Sequence, residues 1–179
     1  QENTRRLDGK LLKCLKAINV SLQWLVTISR PDLSARVSLS ASATSNPTYC
    51  DLQAANKLIR QAQRYKEIPI NIPSIPLGRL TMGTITDAGW AVRPDGSSQG
   101  GYLLFFADKD LLDGKESPVS IMDWKSWKLK RKVRSSLAAE SQALADAVDS
   151  LNYLRLFFAE CLLSDSIDCL LYTSPSPRD

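Results

Sequence analysis

The chain has 179 residues, 44% hydrophobic and 23% charged, which is the balance of a globular protein of one ordinary domain or two small ones and excludes a mostly disordered chain. Its formal charge of +4 is too small to name a partner, so the placement of the cations has to carry that information. Histidine is absent, which removes Ser-His and Cys-His triads and histidine-bearing metal sites and leaves carboxylates to carry any hydrolytic chemistry.

Leu11, Leu15, Ile18, Leu22 and Leu25 recur at steps of three and four, so the spacing predicts an amphipathic helix from Leu11 to Val26. Pro31 in "SRPD" suits a first helical turn, because proline lacks only an amide hydrogen that such a turn leaves unpaired. A second helix is predicted from Pro31 to Ala43. In "SNPTYCD", Thr48 stands as N-cap with Asp51 three residues on, the spacing of a capping box, and Leu52, Ala55, Leu58, Ile59 and Ala62 continue a third helix. The prolines of "EIPINIPSIPLG" then forbid a helix and predict an extended connector.

Beyond the connector the texture becomes β-like, with turn chemistry in "RPDGSSQGG" and "ADKDLLDGKESP". Three strands are predicted near Leu80–Thr86, Gly101–Ala107 and Val119–Trp124, short enough to pair as an antiparallel meander. A long helix follows from Ser136 to Leu162, with Leu144, Val148, Leu151, Leu154 and Phe158 at helical spacing. Cys14, Cys50, Cys161 and Cys169 show no paired ligand spacing and read as buried free thiols. Gln1 is followed by no basic-then-apolar leader, and no uninterrupted apolar run reaches bilayer length. The expected location is therefore intracellular, cytoplasmic or nuclear, without secretion and without a membrane partner.

Two carboxylates stand out. At about 100° per residue Glu140 lies close to the line through Leu144, Ala147 and Leu151, so its charge is expected to point toward a face that must be buried. Asp87, in "TITDAGWA", falls at the end of the first predicted strand on the face of Ile85 and is expected to face Glu140. Two such charges about 4 Å apart would repel by roughly 4 kcal/mol at an effective dielectric near 20, a penalty that a divalent Mg2+ or Mn2+ converts into a binding site. Taken from spacing alone, a turn aspartate and a helix-start glutamate explain the same residues.

Further along, "WKSWKLKRKVR" carries Lys125, Lys128, Lys130, Arg131, Lys132 and Arg134 without an acid. This segment is the expected nucleic-acid contact, with Trp124 and Trp127 available for stacking, against the plainer reading of a solvated loop and a core tryptophan. If about three of these cations meet phosphates, the logarithm of affinity falls with the logarithm of salt at a slope of roughly −2 to −3.

The stretches "WLVTISRPDLSARVS" and "SNPTYCDLQAANKLIRQAQ" resemble the segment of copia-type retrotransposon polyproteins that links the reverse transcriptase to its ribonuclease H domain. "TITDAGWAVRPDGSSQGGYLLFF", "DWKSW" and "RSSLAAESQAL" resemble the opening of that ribonuclease H, in the family's order. The resemblance runs from about Leu11 to Leu163. It implies an α/β architecture: a helical connection segment over 1–66, a Pro-rich linker over 67–78, and over 79–168 an incomplete ribonuclease H-like fold of three antiparallel strands and a long helix. It also implies that Asp87 and Glu140 are catalytic, metal-binding residues of an endoribonuclease that cuts RNA in RNA–DNA hybrids with Mg2+ or Mn2+. The implied partners are the hybrid, or another nucleic acid, and the rest of the reverse transcriptase polyprotein.

Gly89 stands where the family often has a second aspartate, and Ser141 where it often has an aromatic residue. The family's third aspartate belongs beyond Leu163, where Asp165 and Asp168 have no following motif to anchor them. The last eleven residues, "CLLYTSPSPRD" from Cys169 to Asp179, resemble a translated transposase-type sequencing adapter and are expected to be a non-native tail. With half of its ligands the chain is expected to cleave little or nothing. A catalytically inactive nucleic-acid-binding remnant and a helical protein-interaction module are the alternatives.

Overall fold

The computed structural model describes residues 5–42 and 46–163. Asp165, Asp168 and the tail from Cys169 lie outside the described residues. The architecture is mixed α/β. Three helices, α1 (Gly9–Ile28), α2 (Ser34–Ser42) and α3 (Tyr49–Arg64), precede strands β1 (Leu80–Gly89), β2 (Gln99–Asp108) and β3 (Val119–Lys128), and α4 (Ser136–Leu163) follows.

α1 begins where the Asp8 carboxylate accepts the Leu11 amide at 2.8 Å, satisfying one of the donors that a helix start leaves open. Its buried stripe of Leu15, Asn19, Leu22 and Val26 keeps the predicted period, and Asn19 and Ser40 bond each other to bring in α2. α1 has the length and composition to cross a bilayer, yet Leu22 and Val26 sit in an apolar cluster with Leu33, Val37, Leu58 and Ala62. Pro31 opens a short 3-10 turn, Pro31–Leu33, ahead of α2 rather than the helix itself. At α3 the Asp51 carboxylate accepts the Thr48 amide at 2.7 Å and its hydroxyl at 2.8 Å, the reciprocal contact expected of the capping box.

Arg30 is the buried charge of this layer. Its guanidinium grips Asp32 through two bonds of 2.8 and 2.7 Å and donates to the Ala62 carbonyl at 2.9 Å, fastening the end of α3 to the turn after α1. Residues 68–76 then run as irregular backbone, and the Ser120 hydroxyl donates to the Pro73 carbonyl, so the connector lies along β3.

The sheet is antiparallel in the order β1-β2-β3, so β1 and β3 are its outer strands. All three strands run past their predicted limits at one end, because Asp87, Ala88 and Gly89 stay paired with Gly101, Gly100 and Gln99, and those in turn with Ser126, Trp127 and Lys128. Glycines and lysines carry no strand preference in sequence, but the backbone pairs regardless. On one face, Gln99 donates to Ser38 of α2 and the Trp124 indole donates to the Val26 carbonyl of α1 at 2.8 Å. On the other, Phe106 meets Phe158 of α4 with ring centroids 4.8 Å apart, and Ala88 joins Leu129, Ala139 and Ala143 in a second apolar cluster.

Two expectations are corrected here. At the start of α4 the buried stripe is Ala139, Ala143 and Ala147, all fully inaccessible, while Leu144 and Val148 are 49% and 41% exposed; Leu151, Leu154 and Phe158 further on are half-buried, as their spacing predicts. Small side chains let this end of the helix approach the sheet, and Leu144 and Val148 stand on its flank. Cys14, Cys50 and Cys161 are exposed free thiols, not buried ones.

Candidate functional site

β1 carries Asp87 one residue before Ala88, and α4 carries Glu140 one residue after Ala139. Ala88 and Ala139 belong to one apolar cluster, so the two acidic segments are packed side by side although 52 residues, 88–139, lie between Asp87 and Glu140 in the chain. Asp87 is exposed and Glu140 half-buried. Among the described residues neither carboxylate has a hydrogen-bond or ion-pair partner.

The side chains do not face each other across the sheet as expected. Ala88 turns toward α4, and strand alternation therefore turns Asp87 to the opposite face, on the side of Ile85. Glu140 instead lies on the α4 flank opposite Asp149 and Tyr153, the pair that lines a cleft with Tyr102, Leu104 and Asp123 of β2 and β3. That flank overhangs β1, the outer strand. Gly101 stands opposite Asp87, so no cross-strand side chain crowds it.

The basic segment is held by the same cluster. Leu129 is buried in it and Val133 packs against it. The Leu129 amide donates to the Ser98 carbonyl at 2.9 Å, and the Ser135 hydroxyl accepts the Ala138 amide at the start of α4. Between these anchors Lys130, Arg131, Lys132 and Arg134 are exposed.

The six cations do not form one surface. Lys125 lies on the α4 face of β3 with its ammonium 5.5 Å from the Trp127 ring centre, and Lys128 lies on the opposite face, paired with Asp95. Lys132 donates to the Asp95 carbonyl at 2.7 Å. Lys128, followed by the Ser97 hydroxyl, holds the Asp95 carboxyl well below the usual carboxylate range. Lys130, Arg131 and Arg134 are left with no partner among the described residues. Both tryptophans of "WKSW" are half-buried on opposite faces, Trp127 against the α4 cluster and Trp124 against α1.

Sequence reasoning passed over Trp90 and Ser98. Ser98 is 1% exposed, and its hydroxyl accepts the Ala91 amide while its carbonyl accepts Leu129. The only hint in sequence is a tryptophan and a serine flanking a turn, a pattern too common to single out.

No family model matches the chain, and neither the curated proteins nor the solved structures contain a significant match to it.

Proposed function

We propose that this chain belongs to a copia-type reverse transcriptase–ribonuclease H polyprotein and that it holds RNA–DNA hybrid along residues 129–135. One observation carries the reading. A single apolar cluster unites the neighbours of Asp87 and Glu140 with Leu129 and Val133, so a phosphate-binding segment and two unpaired carboxylates share one anchor. The order of three helices, extended connector, three antiparallel strands and a long helix supports it as well.

Asp87 and Glu140 are carboxylates of the kind that suit a hard divalent ion such as Mg2+ or Mn2+, but with Asp87 on the face of β1 away from α4 the two do not fit one shared ion in this arrangement. In a complete site of this type a pair of such ions activates water and stabilises the leaving oxygen of a phosphodiester. Two ligands fall short of that pair, and no group of three or more His, Cys, Asp or Glu side chains is placed to hold a metal among the described residues. Binding is therefore assigned to this chain, and cleavage to the longer parent protein.

Fluorescence anisotropy of a labelled RNA–DNA hybrid across a salt series tests the assignment. Three unpaired cations give a slope of roughly −2 to −3 in log affinity against log salt. Absent binding, or a slope near zero, overturns it.

The helical interaction module keeps one observation of its own. Val20, Trp24 and Ile28 form a stripe on α1 that is 70%, 68% and 59% exposed, which suits packing on the polymerase portion of the same polyprotein. A blue shift of Trp24 emission on adding that portion, lost in W24F, is the corresponding test.

A further inference from the structure

The turn after β1 contains a contact that the hybrid-binding reading does not use. β1 ends at Gly89, where a Cβ would come within 2.9 Å of Val92, so the chain folds back at once. Ala91 adopts a left-handed backbone with φ of 52°, a conformation unfavourable for a residue with a Cβ. Its amide is held by the buried Ser98 hydroxyl at 3.1 Å. This fixed turn delivers Trp90, whose indole N–H donates to the Val133 carbonyl at 3.1 Å, a contact spanning 43 residues of chain.

We infer that Trp90 is a positioning residue that latches the basic segment to the end of β1. Trp90 lies three residues after Asp87, and Val133 lies between the unpaired cations Arg131 and Arg134. Through this bond the end of β1 fixes where those cations stand relative to Asp87. Ser98 provides the opposite anchor, since it accepts the Leu129 amide while holding the Ala91 turn. The segment is thus tied at Leu129, Val133 and Ser135, and its cations project from a backbone with little freedom. The role in ligand binding rests on the hybrid-binding reading, whereas the latch itself does not.

The test uses the full chain and the W90F variant, which keeps an aromatic ring at a position 48% exposed and removes only the N–H donor. Trypsin cleavage after Lys130, Arg131, Lys132 and Arg134 is measured relative to cleavage after Lys66 in the exposed turn that follows α3. Loss of one partly exposed hydrogen bond raises that ratio by about 3- to 10-fold and weakens hybrid binding by a similar factor. S98A, which releases the Ala91 turn, shifts both readouts in the same direction. An unchanged ratio in W90F overturns the latch. A raised ratio with unaltered hybrid affinity upholds the latch and overturns its positioning role, because the segment would then bind without being held. A raised ratio with hybrid binding undetectable in both proteins upholds the latch and overturns the hybrid-binding reading instead.

Discussion

Asp87 and Glu140 are two of several acids in the described residues that hold no cation. Asp32, Asp95 and Asp108 each hold an arginine or lysine, whereas these two hold none among the described residues. D87N and E140Q are therefore expected to leave the urea midpoint almost unchanged, within about ±0.5 kcal/mol. With the two on opposite faces, any tightening of hybrid binding by Mn2+ should persist in both variants, and its loss in both would show that they come together on one ion in the complex. The cations can be ranked in the same manner. R131A and R134A should each reduce the magnitude of the salt slope by about 1, whereas K128A should change it little because Lys128 is already paired with Asp95. Equal effects from all three would mean that the ion pair opens in the complex.

At the level of elements, α4 is the most informative case. A143L inserts bulk where Ala143 is fully inaccessible and should cost about 1–3 kcal/mol, while L144S, on the exposed flank, should stay within about ±0.5 kcal/mol. Chemical denaturation of both variants checks the contrast, and a reversed order would return the leucine stripe to the core. The helix was legible in sequence because its apolar residues keep one period. Which stripe turns inward at its start was not, since the alanines and the larger residues share that period and only the closeness of the sheet selects the smaller set. The α3 start was fully legible, because Thr48 and Asp51 need nothing beyond each other. Strand ends were not, as Gly100 and Gly101 pair through their backbones and display no side chain to betray it. The pairing of the two carboxylate segments was legible as a neighbourhood but not as an orientation. Alternation of side chains is a local rule, whereas the face that α4 chooses is set by Ala88, Phe106 and Gly83 together. A Cβ at Gly83 would strike the Phe105 ring at 2.6 Å, so that ring occupies the face away from α4.

Across the whole molecule, the helical layer and the sheet are joined by few polar contacts, notably from Trp124 to Val26 and from Gln99 to Ser38. W124F, which removes the first, should lower global stability by about 0.5–1.5 kcal/mol and keep a single unfolding transition; two separated transitions would show that the layers fold independently. Acid should weaken the molecule through its ion pairs. Arg30 holds the Asp32 carboxyl below its ordinary value, and Arg79, with the Asp110 amide, does the same for Asp108. A lowered folded-state value contributes stability above the unfolded carboxylate range and loses it as pH falls through the folded value. The urea midpoint is therefore expected to hold down to about pH 4 and to decline below it, and D108N, lacking one such carboxylate, should decline less.

The outer side of β1 has a consequence for handling this protein. From Leu80 to Thr86 the strand offers neither a charge nor a proline, and Ile85 is 64% exposed. Such a rim is a template on which another extended segment can zip, including that of a neighbouring molecule. Concentrated solutions should accordingly seed thioflavin-positive polymers, and a lysine introduced by I85K should keep the molecules apart.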